Sequence, residues 1–173
     1  MARYKIDPER STLWAEARSS LHPIHIETDG FEGYVEAVAA EGRLQPGLQT
    51  QVELDANRLK SGNALVDREL ENRLEVRKYR RVVGEVREVK PLAGGTGYHL
   101  RGDLTLHGVT QSLEADVTLR ALDGQTIELK GEKVIDMREF GLNPPKLFIF
   151  RVYPEVQIKV RIVATLTGTK TKS

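Results

Sequence analysis

The chain has 173 residues and nearly balanced charge, with 26 lysines and arginines against 25 aspartates and glutamates. This length suits one domain with a single closed core, and the formal net charge of +1 gives no field that would attract nucleic acid. The absence of cysteine excludes disulfides, thiolate metal sites and cysteine nucleophiles.

The first predicted element is a strand over residues 3–7, and the residues around it contain no apolar run of the kind that a signal peptide needs. We therefore expect a cytoplasmic protein. Charged residues interrupt every later apolar segment, so no stretch of the sequence is long enough to span a bilayer as a helix. Any encounter with a membrane is expected to be a transient contact between a folded protein and lipid.

Short strands are predicted along the first half of the chain, where Val, Ile, Thr and Tyr recur between glycine and proline. After residues 3–7 they are expected at 11–18, 33–40 and 49–55. A helix is predicted over residues 64–74, because Val66, Leu70 and Leu74 recur there at four-residue spacing. Asn63 precedes this segment and is a residue type that caps helices. The helix either closes one end of a barrel or acts as a moving lid.

The second half shows the clearest alternation of apolar and polar residues, which places two chemistries on the two faces of each strand. Strands are expected at 81–90, 98–106, 111–120, 125–136 and 156–166. The glycine-rich residues 92–97 and the Gly108-Val109-Thr110 turn join three of them as hairpins. Residues 1–167 are predicted as one domain and residues 168–173, which include Lys170 and Lys172, as a flexible tail.

Many antiparallel strands with sparse helix predict an all-β fold, either a sandwich or a closed barrel. A barrel of about eight strands either fills with side chains or holds one small ligand. Gly102, Ala115, Gly131 and Ala164 fall on the inward face, where they either leave room for a ligand or relieve crowding between strands.

Sequence motifs for catalysis and metal binding are absent. There is no Gly-x-Ser-x-Gly elbow, no phosphate-binding glycine loop before a helix and no His-Glu-x-x-His zinc motif. His22 and His25 are interpreted as part of a solvated loop, since no Asp or Cys completes a metal site beside them. His99 and His107 are assigned to the polar face of one strand, and His107 is expected to bond the backbone of its own hairpin. The single tryptophan, Trp14, is expected in the core.

Several stretches are together more specific than any one of them. They are Tyr4-Lys5-Ile6-Asp7 with Ser11, Asp55 with Leu59, Gly62-Asn63 with Asp67 and Leu70, residues 102–110, Arg138-Glu139-Phe140-Gly141, and the alternating last strand. In their order and spacing the chain resembles the YceI-like family from about residue 3 to residue 166. The most specific stretch is Leu104-Thr105-Leu106-His107-Gly108-Val109-Thr110.

The resemblance implies an antiparallel, eight-stranded, lipocalin-like β-barrel with one or two short helices. It further implies that the barrel encloses a long apolar ligand, of the isoprenoid quinone or polyprenyl phosphate type, which it carries or stores. No catalysed reaction and no cofactor are implied. The family usually has a pair of phenylalanines, an aspartate and Tyr-Pro after the short helix, whereas residues 74–80 here read Leu-Glu-Val-Arg-Lys-Tyr-Arg. Aromatic lining near the mouth of the barrel is therefore expected to be reduced.

The residues expected to face the ligand share an inward position in this pattern. They are Leu54, Leu70, Leu74, Leu100, Leu104, Leu106, Val117, Phe140 and Ile158. Arg138 is the candidate for a polar head group, because a guanidinium suits phosphate or a quinone oxygen. The alternative for Arg138 is a salt bridge to Asp136 or Glu139, which would fix the turn.

Two other functions stay open at this point. One is an isomerase or cyclase that acts on a lipid at the barrel mouth with His107 or Tyr79, and the other is a structural barrel with a filled core. The expected partner is an isoprenoid or another apolar lipid and not nucleic acid. The sequence leaves the oligomeric state open, a homodimer included.

Overall fold

Antiparallel strands make up most of the chain, and the computed structural model describes residues 2–40, 43–144, 146–147 and 150–169. The strands are β1 (Ala2–Ile6), β2 (Thr12–Ser19), β3 (Ile24–Thr28), β4 (Glu32–Ala40), β5 (Arg43–Pro46), β6 (Gln51–Asp55), β7 (Arg81–Pro91), β8 (Gly97–Leu106), β9 (Val109–Ala121), β10 (Thr126–Asp136), β11 (Lys146–Leu147) and β12 (Phe150–Thr169). One α-helix, α1 (Ala64–Leu74), lies among the described residues, with 3-10 turns at Ala56–Arg58 and Met137–Phe140. No helix in these ranges is long and apolar enough to cross a bilayer.

Eight of the described strands close into an antiparallel barrel in the order β1, β4, β6, β7, β8, β9, β10 and β12, and β12 pairs back onto β1. The predicted all-β, eight-stranded barrel is therefore confirmed, and the sandwich is excluded because the sheet closes on itself. The helix predicted at 64–74 is also confirmed. The sequence reading missed β3, β5 and β11, and it placed His25, which lies in β3, in a loop.

Strand β12 is long enough to pair with two strands in succession. Residues 164–169 pair with β1, and residues 152–161 pair with β2, which follows β1 along the chain. The β2–β3 hairpin therefore extends past the barrel proper at the start of β12. The pairing of β1 reaches Gly168 and Thr169, two residues of the predicted tail, while Lys170 and Lys172 lie outside the described residues.

The two ends of the barrel differ. At one end, which we call the closed end, Tyr98, Leu119 and Ala164 are fully buried in a packed core. Arg43 braces this end: its guanidinium donates to the carbonyl oxygens of Leu92 and Gly97, both at 2.9 Å. The other end, which we call the open end, carries α1, the β2–β3 hairpin tip and the turns at residues 107–108 and 137–141.

The inward glycines relieve crowding. A Cβ atom on Gly102 would lie 2.5 Å from the carbonyl oxygen of Glu85, and one on Gly131 would lie 2.9 Å from a methyl group of Val117. The barrel strands approach each other too closely at these two positions for a larger residue. The observation favours the crowding interpretation for these glycines over room for a ligand.

The outer wall of the barrel is polar and extensively ion-paired. The Glu128 side chain is only 3% exposed and accepts hydrogen bonds from Arg161 at 2.7 Å and Arg120 at 3.0 Å. Burial disfavours the charge on this carboxylate, but the two arginines outweigh that effect and lower the pKa of Glu128. Trp14 also lies on the wall, half-buried beneath Lys159, so its expected place in the core is wrong.

Candidate functional site

A cavity of about 170 Å³ opens at the open end, between the β2–β3 hairpin, helix α1 and the barrel. The hairpin supplies one wall through alternate residues that share its inner face: Leu13, Ala15, Ala17, Ile24 and Ile26. Ala15 lies opposite Ile26 in β3 and Ile158 in β12, so a small residue stands between two branched ones. This small side chain leaves space that a larger one would occupy.

Helix α1 supplies the second wall. Val66, Leu70, Arg73 and Leu74 face the cavity, which is the spacing of one helical stripe. The helix begins where the side chain of Asn63 accepts hydrogen bonds from the backbone N–H groups of Leu65 and Val66, at 3.0 and 3.2 Å. Its position across the barrel end follows from burial of this stripe.

The barrel itself supplies the remaining wall. The contributing residues lie at the ends of β8 and β10, in the turn after β10 and at the start of β12: Leu104, Leu106, Ile135, Met137, Leu142, Asn143, Val152, Val156 and Ile158. Beneath them Phe140 is fully buried and packs with Leu74 and Ile135. The packed side chain of Phe140 therefore lies at the bottom of the cavity.

The chemistry of the cavity is almost purely apolar. Arg73 and Asn143 are the polar members of the described lining. The Arg73 side chain is 42% exposed and its Nε lies 3.4 Å from a carboxylate oxygen of Glu69, so its stem contacts the cavity while its charge stays at the rim. An engineered apolar cavity of ~150 Å³ accepts a molecule as large as benzene, so a space of this size suits one small apolar group.

Two polar contacts of His107, one with Glu75 and one with the backbone of Phe140, join the C-terminal end of α1 to the barrel. We call these contacts the latch. His107 and Glu75, the residue after the helix, both have positive φ angles, of 55° and 49°. The His107 ring donates through Nδ1 to the carbonyl oxygen of Phe140 at 3.0 Å, and its Nε2 lies 2.5 Å from a carboxylate oxygen of Glu75. His107 thus joins α1 to the turn at residues 137–140. The expected bond to its own hairpin, and its place on a strand face, are wrong.

The other histidines do not join this latch. His99 lies 2.7 Å from Asp116, and this hydrogen bond raises the pKa of the His99 ring. His25 packs edge-on against Trp14 on the outer surface, with 5.3 Å between ring centroids. Among the described residues, no three His, Asp or Glu side chains converge in a way that would hold a metal ion.

A profile of the YceI-like domain matches residues 4–164, nearly the whole chain. The chain belongs to the YceI-like family. No curated protein matches it by sequence.

Solved structures with the same fold include BcnA of Burkholderia cenocepacia, at 23% identity with a TM-score of 0.77, covering 92% of this chain and 99% of that one. A polyisoprenoid binding domain from Saccharophagus degradans matches at 15% identity with a TM-score of 0.72, covering 96% and 99% of the two chains. A YceI protein of Campylobacter jejuni matches at 13% identity with a TM-score of 0.63, covering 81% and 82%. At these identities the matches show the shared fold.

The structure of this YceI-like protein brings together five of the residues expected to face a ligand: Leu70, Leu74, Leu104, Leu106 and Ile158. It places Leu54, Leu100 and Val117 in the packed core of the barrel instead, and Phe140 beneath the cavity. Arg138 does not face the cavity. Its guanidinium donates to Asp136 at 2.7 Å, which lowers the pKa of the Asp136 carboxyl.

The hairpin wall of the cavity was not among the residues predicted to face a ligand. Its signal was present in the Ala15-x-Ala17 and Ile24-x-Ile26 alternation, on either side of Pro23. The segment 74–80, which departs from the family pattern, lies partly at the cavity: Leu74 lines it, while Val76 packs into the core next to it.

Proposed function

We propose that this YceI-like protein binds an apolar isoprenoid lipid, of the isoprenoid quinone or polyprenyl phosphate type, at the open end and carries or stores it. The observation that carries the proposal is the cavity between α1 and the β2–β3 hairpin, whose walls are apolar. The likeness to a solved polyisoprenoid binding domain supports it. The structural alternative is less well supported, because this apolar space at the open end is left unfilled.

The chemistry of the walls supports one orientation of the ligand. Burying a polar head group without hydrogen bonds costs roughly 2–7 kcal/mol, and Arg73 and Asn143 are the only polar residues in the described lining. A tail buried there gains about 0.8 kcal/mol for each CH₂ group. The tail therefore enters first, and the head group stays at the rim near Arg73 and Asn143.

A long prenyl chain requires α1 to move. The cavity volume of about 170 Å³ accepts one small group, and Tyr98 and Leu119 close the far end of the barrel. Additional isoprene units can therefore only extend toward the open end, where α1 covers the core. The helix acts in this proposal as a lid that is displaced as the chain lengthens.

An isomerase or cyclase finds little support in this geometry. The residues suggested for it are His107, which belongs to the latch, and Tyr79, whose ring lies 5.0 Å from that of His107. Neither belongs to the lining of the cavity. Arg73 is the ionisable residue in the described lining, and its charge lies at the rim, where it pairs with Glu69.

The test is a titration with prenyl alcohols of increasing length, measured as displacement of anilinonaphthalene sulfonate from the purified protein. Each carbon that enters the cavity should tighten the Kd roughly fourfold, and the gain should stop once the tail is fully enclosed. Organic extraction of freshly purified protein, read by mass spectrometry, should release an apolar lipid. Absence of binding at every length, together with an empty extract, would overturn the proposal.

A further inference from the structure

Two leucines near the mouth of the cavity are exposed to solvent. Leu21, at the tip of the β2–β3 hairpin, is 61% exposed, and Leu65, in the first turn of α1, is 52% exposed. Leu65 is followed directly by the lining residue Val66, and Leu21 precedes the lining residue Ile24 by three positions. Each wall of the cavity mouth therefore presents one large apolar side chain outward.

Exposed arginines accompany these leucines. Arg18 directly follows a lining residue on β2, and Arg151 directly precedes one on β12. Arg68 lies on α1, and Arg77 lies in the turn after it. None of the four has an acidic partner within ion-pairing distance among the described residues. We call these four arginines, together with Leu21 and Leu65, the open-end patch.

The barrel wall shows the opposite arrangement. Arg87 lies 2.8 Å from Asp103, and Arg101 lies 2.9 Å from Glu88. Carboxylates thus neutralise these wall cations, while the arginines of the open-end patch remain available to an external anion.

We propose that the open-end patch docks on the surface of an anionic lipid bilayer. Guanidinium groups form strong paired hydrogen bonds with phosphate, and leucines beside them can insert at the boundary between head groups and acyl chains. Each arginine near such a surface strengthens binding about fivefold. Docking through the open-end patch turns the cavity toward the membrane. The docking itself does not depend on the proposed function, but the role of this orientation in lipid binding does.

Co-sedimentation with vesicles tests the proposal. One set of vesicles is phosphatidylcholine alone and the other contains about 30% phosphatidylserine, both free of isoprenoid. Wild type should bind the anionic set, and the double variant Arg68→Gln/Arg77→Gln should bind it roughly 25-fold more weakly. Leu21→Ser/Leu65→Ser should also weaken binding to anionic vesicles.

The matched control is Arg87→Gln/Arg101→Gln, which removes the same charge from the wall. Its vesicle binding should stay within about twofold of wild type, because those arginines are already neutralised. None of these variants touches the cavity lining, so displacement of anilinonaphthalene sulfonate by a prenyl alcohol should be unchanged in all of them.

Two results would overturn the docking face: wild type that ignores anionic vesicles, or a wall control that loses as much binding as the patch variant. Vesicle binding that follows the open-end patch in a protein that binds no prenyl alcohol would support the docking face and reject the proposed function.

Discussion

Enlarging the small residue in the hairpin wall is the most direct test of the cavity. Ala15 is 7% exposed and faces the cavity between Ile26 and Ile158. In Ala15→Leu, three added carbons enter the space, and at about 0.8 kcal/mol each their burial contributes ~2.4 kcal/mol. Strain from overpacking typically costs ~1–3 kcal/mol, so the free energy of unfolding should change by less than ~1.5 kcal/mol.

The ligand responds differently, because the leucine occupies space that the tail needs. Losing three buried carbons of tail weakens binding by ~2.4 kcal/mol, which is about fiftyfold in Kd. Urea denaturation measures the stability, and titration with a prenyl alcohol measures the affinity. The control is Ala121→Leu, at an exposed position at the end of β9, which should change neither quantity. An unchanged Kd for Ala15→Leu, in a folded protein, would refute the assignment of the cavity as the binding site.

Three further results are expected. Leu104→Asp places a carboxylate in the cavity wall, so it should abolish prenyl alcohol binding and lower the free energy of unfolding in urea by about 3 kcal/mol. Thr105→Asp lies on the outer face and should change either quantity little. Glu75→Gln weakens the latch to His107 and should lower the melting temperature by ~3 °C while speeding ligand exchange in stopped-flow measurements. Because the pKa of Glu128 is lowered from its usual value of 4.5, its stabilisation is fully present above about pH 4.5 and is lost as the pH falls through the lowered pKa, so the urea stabilities of wild type and Glu128→Gln should converge as the pH falls below about 4.5.

Local patterns were sufficient to predict most of the fold. Alternation identified the strands that form most of the barrel, and four-residue spacing with an Asn63 cap identified α1. Strand β3 escaped because it is short, follows Pro23 and becomes a strand through its pairing with β2. The alternation also predicts that Trp14 faces outward, since Leu13 and Ala15 face inward and the residue between them must lie on the other face of the strand. Residue type, an aromatic side chain, suggested the core instead.

The site was harder to predict than the fold, because alternation assigns a face and not a depth. Leu100 and Leu104 share the inward face of β8, yet one packs in the barrel core and the other lines the cavity. Their depth depends on strand tilt and on which neighbours fill each layer of the barrel. The latch was beyond sequence reasoning, since it joins residues 32 positions apart through backbone angles that few residues adopt.

The pairing of the first strand with the last has a consequence for how the protein is made. Ala2 lies opposite Thr169, so the ring of strands cannot close until the ribosome has released the last strand. Until then β1 and β10 each lack the neighbour that β12 supplies, and the nascent chain displays open sheet edges. The open edges therefore leave the chain prone to aggregation until a late stage of its synthesis. Deletion of the last six described residues, 164–169, should leave a barrel that cannot close.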